Sequence, residues 1–221
     1  MSIRLSTRIS IRWSDDPPSE PTNTIVLSVG SYFMDLRITK VDKSIDWAFA
    51  GTREILARDP LHCRWYHIID SRGSFDPDEG KFKKLPNGDD LETGSMPCPE
   101  KGNQVTPYEE VWRELQPTVG RERGWILQMQ EGNCNKFIGK YGGVFLAMSQ
   151  DDGKAFSVRK EDLVDGEAGL KWALEYEYGV PNLPSLSNME LMKFPGETDW
   201  RLGDRVAIGN ETYEVRALVA Q

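Results

Sequence analysis

The sequence predicts an all-β protein, a sandwich or a barrel, and three observations carry the prediction. Short runs with period-2 alternation recur along the chain at roughly 8- to 12-residue spacing. Turn pairs of the hairpin kind punctuate them, at Gly30-Ser31, Asn87-Gly88, Asp152-Gly153 and Gly209-Asn210. Helical spacing rises above strand spacing in one stretch only, V-T-P-Y-E-E-V-W-R-E-L, and that stretch also fits a strand.

The first run, Arg8 to Trp13, sends Ile9, Ile11 and Trp13 inward. S-D-D-P-P-S-E-P ends it, because Pro17, Pro18 and Pro21 remove donors and fix φ. Thr24 to Val29 and Tyr32 to Ile38 flank a two-residue hairpin junction with glycine first, and Tyr32, Met34, Leu36 and Ile38 make the apolar side of the second strand. In I-D-W-A-F-A-G, alternation places Ile45, Trp47 and Phe49 opposite Asp46, Ala48 and Ala50. In H-C-R-W-Y-H-I-I-D it places Cys63, Trp65, His67 and Ile69 opposite His62, Arg64, Tyr66, Ile68 and Asp70. A histidine between Trp65 and Ile69 is either a neutral ring with a hydrogen-bond partner or a proton carrier in a pocket, since an unpaired buried charge is costly.

The polar segment from Arg72 to Asn103 reads as a surface loop with short strands at most around Asn87-Gly88, or as a lid over a pocket. In the ambiguous stretch Thr106, Pro107 and Glu109 make a helix start. Alternation instead groups Tyr108, Glu110 and Trp112, and both readings put Tyr108 and Trp112 on one face. Q-P-T-V-G-R-E-R-G is a linker. Strands resume at Gly124 to Gln130, Lys136 to Lys140, Gly143 to Ser149, Ala155 to Lys160 and Lys171 to Tyr178, the last with Trp172, Leu174, Tyr176 and Tyr178 on one face. P-N-L-P-S-L-S-N-M-E-L-M-K-F has room for one helical turn, and Arg205 to Ile208 with Thr212 to Val219 make a closing hairpin.

With 38 % hydrophobic and 28 % charged residues the composition is that of an ordinary folded chain. A net charge of −8 and a pI near 5.0 argue against nucleic acid and against an anionic membrane surface, leaving small molecules or proteins as partners. The N-terminal run has no apolar core of secretory type, and Cys63, Cys98 and Cys134 are unpaired in spacing, which together fit a reduced cytoplasmic or nuclear setting. No metal or nucleotide motif occurs: His62 and His67 lie on opposite strand faces, and P-loop, G-x-G-x-x-G and G-x-S-x-G patterns are missing.

In chain order, W-S-D-D-P-P-S-E-P-T-N-T-I-V-L, D-W-A-F-A-G, W-Y-H-I-I-D-S, D-E-G, L-E-T-G, P-Y-E-E-V-W-R and G-K-Y-G-G-V-F resemble the fungal Hri family, ascomycete proteins named for a yeast member that binds a casein kinase I. The resemblance implies two lipocalin-like antiparallel β-barrels side by side, residues 1–118 and 119–221, and turns P-Y-E-E-V-W-R into a closing strand. It also implies, through relatives that accompany fungal polyketide pathways, a cofactor-free cyclase acting on prenylated aromatic products. The C-terminal half departs from the family pattern, as in N-L-P-S-L-S-N-M-E-L-M, which fits a recruited paralogue.

For such a cyclase a carboxylic acid kept neutral protonates an alkene, aromatic faces shelter the cation, and a substrate hydroxyl closes the ring. Glu110 is the candidate acid and His67 the candidate base or orienting group, with Asp46 and Asp70 in reserve because parity sets them opposite Trp47 and His67. Trp47, Phe49, Trp65, Tyr108 and Trp112 are the candidate substrate-binding set; no cofactor or metal is called for. The plainer reading makes His67 a satisfied core histidine, Glu110 a rim carboxylate and the aromatics a packed core. In that case the protein is a non-catalytic module that contacts a kinase or another protein, and a homodimer through edge strands is compatible with either reading.

Overall fold

A computed structural model describes residues 2–121, 123–151, 155–167, 169–179, 183–189 and 193–220, and over them the chain is all-β. Its first eight strands are β1 (Ile3–Trp13), β2 (Thr22–Val29), β3 (Tyr32–Thr39), β4 (Ile45–Arg58), β5 (Leu61–Asp70), β6 (Asp78–Lys84), β7 (Asp90–Cys98) and β8 (Gln104–Glu114). Each is antiparallel to the next, and β8 returns to β1 from Ser6↔Glu114 to Trp13↔Tyr108, closing a barrel. The helix-start signals at Thr106 give way because this pairing supplies a ladder for a strand whose alternate residues are buried.

The remaining strands are β9 (Arg123–Glu131), β10 (Cys134–Tyr141), β11 (Val144–Asp151), β12 (Ala155–Gly166), β13 (Gly169–Tyr178), β14 (Arg205–Ile208) and β15 (Glu211–Ala220). They form one sheet in the order β13-β12-β11-β10-β9-β15-β14. Among the described residues its edges do not pair, so an open sheet stands where a second closed barrel was expected. β14 has four residues, and the chain before it turns inward, with Leu186, Phe194 and Trp200 packed on Trp125, Phe145 and Tyr213. That covers the inner face without extending either edge.

Barrel and sheet share a core. Leu27, Met34, Leu36, Ala48, Ala50 and Ile69 project from the outside of the barrel onto Ile126, Phe137, Leu146, Met148 and Val158 of the sheet. Strands at this seam are buried on both faces, so β3 carries Phe33, Asp35 and Arg37 on one side and Met34, Leu36 and Ile38, packed on the sheet, on the other. Gln150 ties the halves further: its Oε1 accepts from the Asp70 N–H at 2.8 Å and its Nε2 donates to the Asp70 carbonyl at 2.7 Å.

Four single-residue register shifts overturn the strict alternation read from sequence. In β1 the shift between Arg8 and Ser10 turns Arg8 inward and leaves Ile9 37 % exposed. In β4 Asp46 is skipped, so Ile45 joins Ile38 at the shared core and parts from Trp47 and Phe49. In β5 Ile68 is skipped, which sends Ile69 to the sheet and brings Asp70 to the side of His67. In β13 the skip at Glu175 separates Trp172, in the second core, from Tyr176, on the shared one, while Leu174 and Tyr178 stay exposed.

The segment expected as a loop or lid is instead the β6–β7 hairpin, a piece of barrel wall. Its few apolar residues disguise it because its outward side meets water and its inward side holds a carboxylate. The helical turn expected over 181–194 is not present in its described residues, which form a turn; a 3-10 turn comes later, at Glu197–Asp199. The Asp152-Gly153 turn lies outside the described residues. The Gly30-Ser31, Asn87-Gly88 and Gly209-Asn210 junctions each join paired strands as expected.

Candidate functional site

The barrel encloses a cavity of about 90 Å³ walled by Phe33, Trp47, Phe49, Trp65 and Trp112. That is room for on the order of three water molecules. A second, outer cavity of about 570 Å³ lies at one mouth, and Arg37, Trp47 and Met96 belong to both. Its volume is within the ~300–1,000 Å³ usual for small-molecule sites.

Two arginines and several carboxylates occupy this interior. Arg8 Nη1 donates to Glu110 Oε1 at 2.5 Å and its Nε to Glu20 Oε2 at 2.8 Å. Arg37 binds Asp35 at 2.9 Å, holds its Nη1 3.5 Å from Glu110, and lies 5.0, 5.4 and 5.8 Å from the ring centres of Trp47, Phe49 and Trp112. Glu110 is thus deeply buried but engaged as an ion-pair partner of Arg8. A deeply buried carboxyl of the cavity that stands outside these ion pairs is Glu92, on β7, which the sequence reading did not single out. Burial above all, and then the charges of Glu110 and Asp78, hold its pKa well above the usual carboxylate range, which favours its protonated form. Tyr108 donates to Glu92 Oε1 at 3.0 Å, and Oε2 has no hydrogen-bond partner among the described residues. Glu92 fits there because residue 80 is glycine: a Cβ at Gly80 would come within 2.2 Å of Glu92 Oε1. The glycines of D-E-G and L-E-T-G, paired as Gly80↔Gly94, were the signal that could have located it.

His67 stacks on Phe49 with ring centres 4.4 Å apart, and its Nδ1 lies 2.8 Å from Asp70 Oδ2. Asp70 also accepts from Trp47 Nε1 at 2.8 Å and from the Arg72 and Ser74 N–H groups, so the carboxylate expected to face away from His67 anchors both rings. Burial pulls the imidazole pKa down, but the Asp70 bond and the charges of Asp78 and Asp70 outweigh it, and the value is pushed up to about 9. At neutral pH His67 carries a proton and can donate and orient, whereas taking up a proton requires losing that one first. Asp46, skipped by the β4 bulge, lies beside Arg72 at 2.9 Å on the wall of the outer cavity, away from the inner one. Trp47, Phe49, Trp65, Tyr108 and Trp112 all line the inner cavity. Among the described residues no group of His, Cys, Asp and Glu is arranged to hold a metal ion.

The family model described as Protein HRI1 matches residues 4–216. No curated protein matches the chain. Among solved structures, the crystal structure of uncharacterized protein YLR301w from Saccharomyces cerevisiae is similar, with a TM-score of 0.76 at 15 % identity over 99 % of each chain. At that identity the likeness speaks for the fold.

Proposed function

The chain belongs to the Protein HRI1 family, and we propose that within that fold the β1–β8 barrel is the site of a cofactor-free cyclase or isomerase acting on a hydrophobic, prenylated aromatic small molecule. The observation that carries the reading is Glu92: a buried carboxyl, its pKa held well above the usual carboxylate range, with one oxygen free of hydrogen bonds among the described residues at a cavity lined by Phe, Trp and Tyr rings of the cation-sheltering kind. Glu92 replaces Glu110 as the acid. Its proton adds to the alkene, forming a C–H bond as the π bond breaks, and the cation lies against Trp47 or Trp112. A hydroxyl of the same substrate then forms the C–O bond and returns its proton to the Glu92 carboxylate, so the product is an isomer of the substrate. His67 acts on Trp47 through Asp70 and is a positioning residue. The substrate body occupies the outer cavity. The seven-stranded sheet is read as the second, lipocalin-like barrel of the pair left open at β13 and β14.

The test is incubation with prenylated phenols in D₂O. An isomer of the substrate carrying one deuterium on carbon is expected, with turnover reduced ~10²- to 10⁴-fold in Glu92→Gln. A folded protein that yields no isomer from any compound and is not stabilised by one, where saturation at 100 times Kd would add about 2.7 kcal/mol, would overturn it. The second reading is a non-catalytic partner of a kinase or another protein. It is favoured by the net charge of −8 and by the small inner cavity, and co-purification of a protein partner with such an inactive chain would support it.

A further inference from the structure

The outer cavity is cationic in an acidic chain. Arg8, Arg37 and Arg72 line it against Asp46 and Glu100. Arg8 is consumed by Glu110, Glu20 and Thr22. Arg37 bonds Asp35 through Nε and Nη2 and faces Glu110 with its Nη1, 3.5 Å away. Arg72 is less engaged: it bonds Asp46 through Nε and Nη2, which leaves its Nη1 without a hydrogen bond among the described residues. Both guanidiniums also lie against one indole, 5.0 and 4.8 Å from the centre of Trp47. Two like charges share a ring there with one half-exposed carboxylate, Asp46, on the outer one. Burial and the Arg37 charge accordingly draw the Arg72 pKa down, with Asp46 opposing. The rest of the wall is mainly apolar, from Ile11 and Trp13 to Met96 and Pro97, with Ser19, Ser74 and Asn103 among it.

We propose that this outer cavity binds the carboxylate of a small aromatic acid, with Arg72 Nη1 as donor, the Arg37 charge behind it across Trp47, and the ring body against Trp13 and Met96. Guanidinium forks match a carboxylate in shape and charge, and the apolar wall excludes a bare hydrated ion as the best occupant. The inference rests on the reading of the barrel as a small-molecule site and adds to it that the substrate carries an acidic group held at the mouth.

Calorimetric titration of the full chain with 2-naphthoate and with neutral 2-naphthamide tests it. The carboxylate is expected to bind at least about tenfold more tightly, the scale of one charge-assisted hydrogen bond. Arg72→Gln should erase the ratio. Asp46→Asn, which removes the competing carboxylate, should tighten naphthoate, a gain that loss of folding cannot mimic. Equal affinities in the wild-type protein, or a ratio that survives Arg72→Gln, would overturn the proposal. Glu92→Gln separates the two ideas: it should leave naphthoate binding unchanged while abolishing isomer formation. Naphthoate binding without any turnover would retain the anion site and remove the cyclase; turnover without naphthoate binding would do the reverse.

Discussion

Folding raises the pKa of both His67 and Glu92, and the two shifts have opposite meanings for the protein. Folding lifts the His67 pKa from 6.5 to about 9, so its contribution to stability is fully present below pH 6.5 and is lost as the pH rises through 9. The difference corresponds to about 3 kcal/mol. Chemical denaturation between pH 6 and 10 should show that decline in the wild-type protein and a flatter profile in His67→Gln; an unchanged profile would mean that the ring is neutral. Glu92 is raised as well, so its contribution is likewise greatest below its ordinary 4.5 and falls above it, but this group gains no cationic hydrogen-bond partner in return. Burial of this carboxyl without a cationic partner is a standing cost. Glu92→Gln keeps the acceptor for Tyr108 and removes that cost, and should raise the melting temperature at pH 8 while turnover disappears. A variant that melts lower would show that the carboxyl is ionised and bonded in a way the geometry does not suggest.

The β5 bulge is the element on which the site turns. Skipping Ile68 lets one strand send Ile69 to the shared core and both His67 and Asp70 to the interior, and it brings the partner strand so close that a Cβ at Gly51 would lie 1.9 Å from the Tyr66 carbonyl. Gly51→Ala should therefore cost about 1–3 kcal/mol, read as a lower urea midpoint at unchanged slope, and a cost near zero would mean the bulge can relax. The same element marks how far the sequence could be read. Strand runs, their turns, and the shared face of Tyr108, Glu110 and Trp112 were legible because alternation and turn chemistry are local. Asp70 was placed opposite His67 because one unpaired residue inverts every later side chain, and nothing in H-I-I-D announces which isoleucine is skipped. Arg37 was hidden for a different reason. In strands buried on both faces the apolar side of Y-F-M-D-L-R-I belongs to the seam with the sheet, so the polar side, normally assigned to water, is the barrel interior. Glu92 was hidden because β7 has few apolar residues on either side and reads as a loop.

At the scale of the molecule, the sheet holds the geometry of a site that lies wholly in the barrel. Its Gln150 accepts from the Asp70 N–H and donates to the Asp70 carbonyl, which also accepts from the Gly73 N–H at 3.1 Å; Asp70, a residue with no exposed surface, in turn carries Trp47 and His67, whose rings enclose Phe49. Replacing Gln150 by leucine would leave the buried Asp70 N–H without a partner, at about 1–3 kcal/mol, and the carbonyl with the Gly73 bond alone. It would also loosen the carboxylate that sustains the histidine cation. Gln150→Leu should thus lower the His67 pKa from about 9 toward 6.5, read from the imidazole resonances, although Gln150 does not line the inner cavity. Leu27→Ala, which opens the shared core elsewhere, should cost a comparable ~2–5 kcal/mol and leave the histidine titration where it was. Equal pKa changes in both variants would make the effect one of general loosening; a change confined to Gln150→Leu would establish that the second half of the chain positions the site through a single side chain.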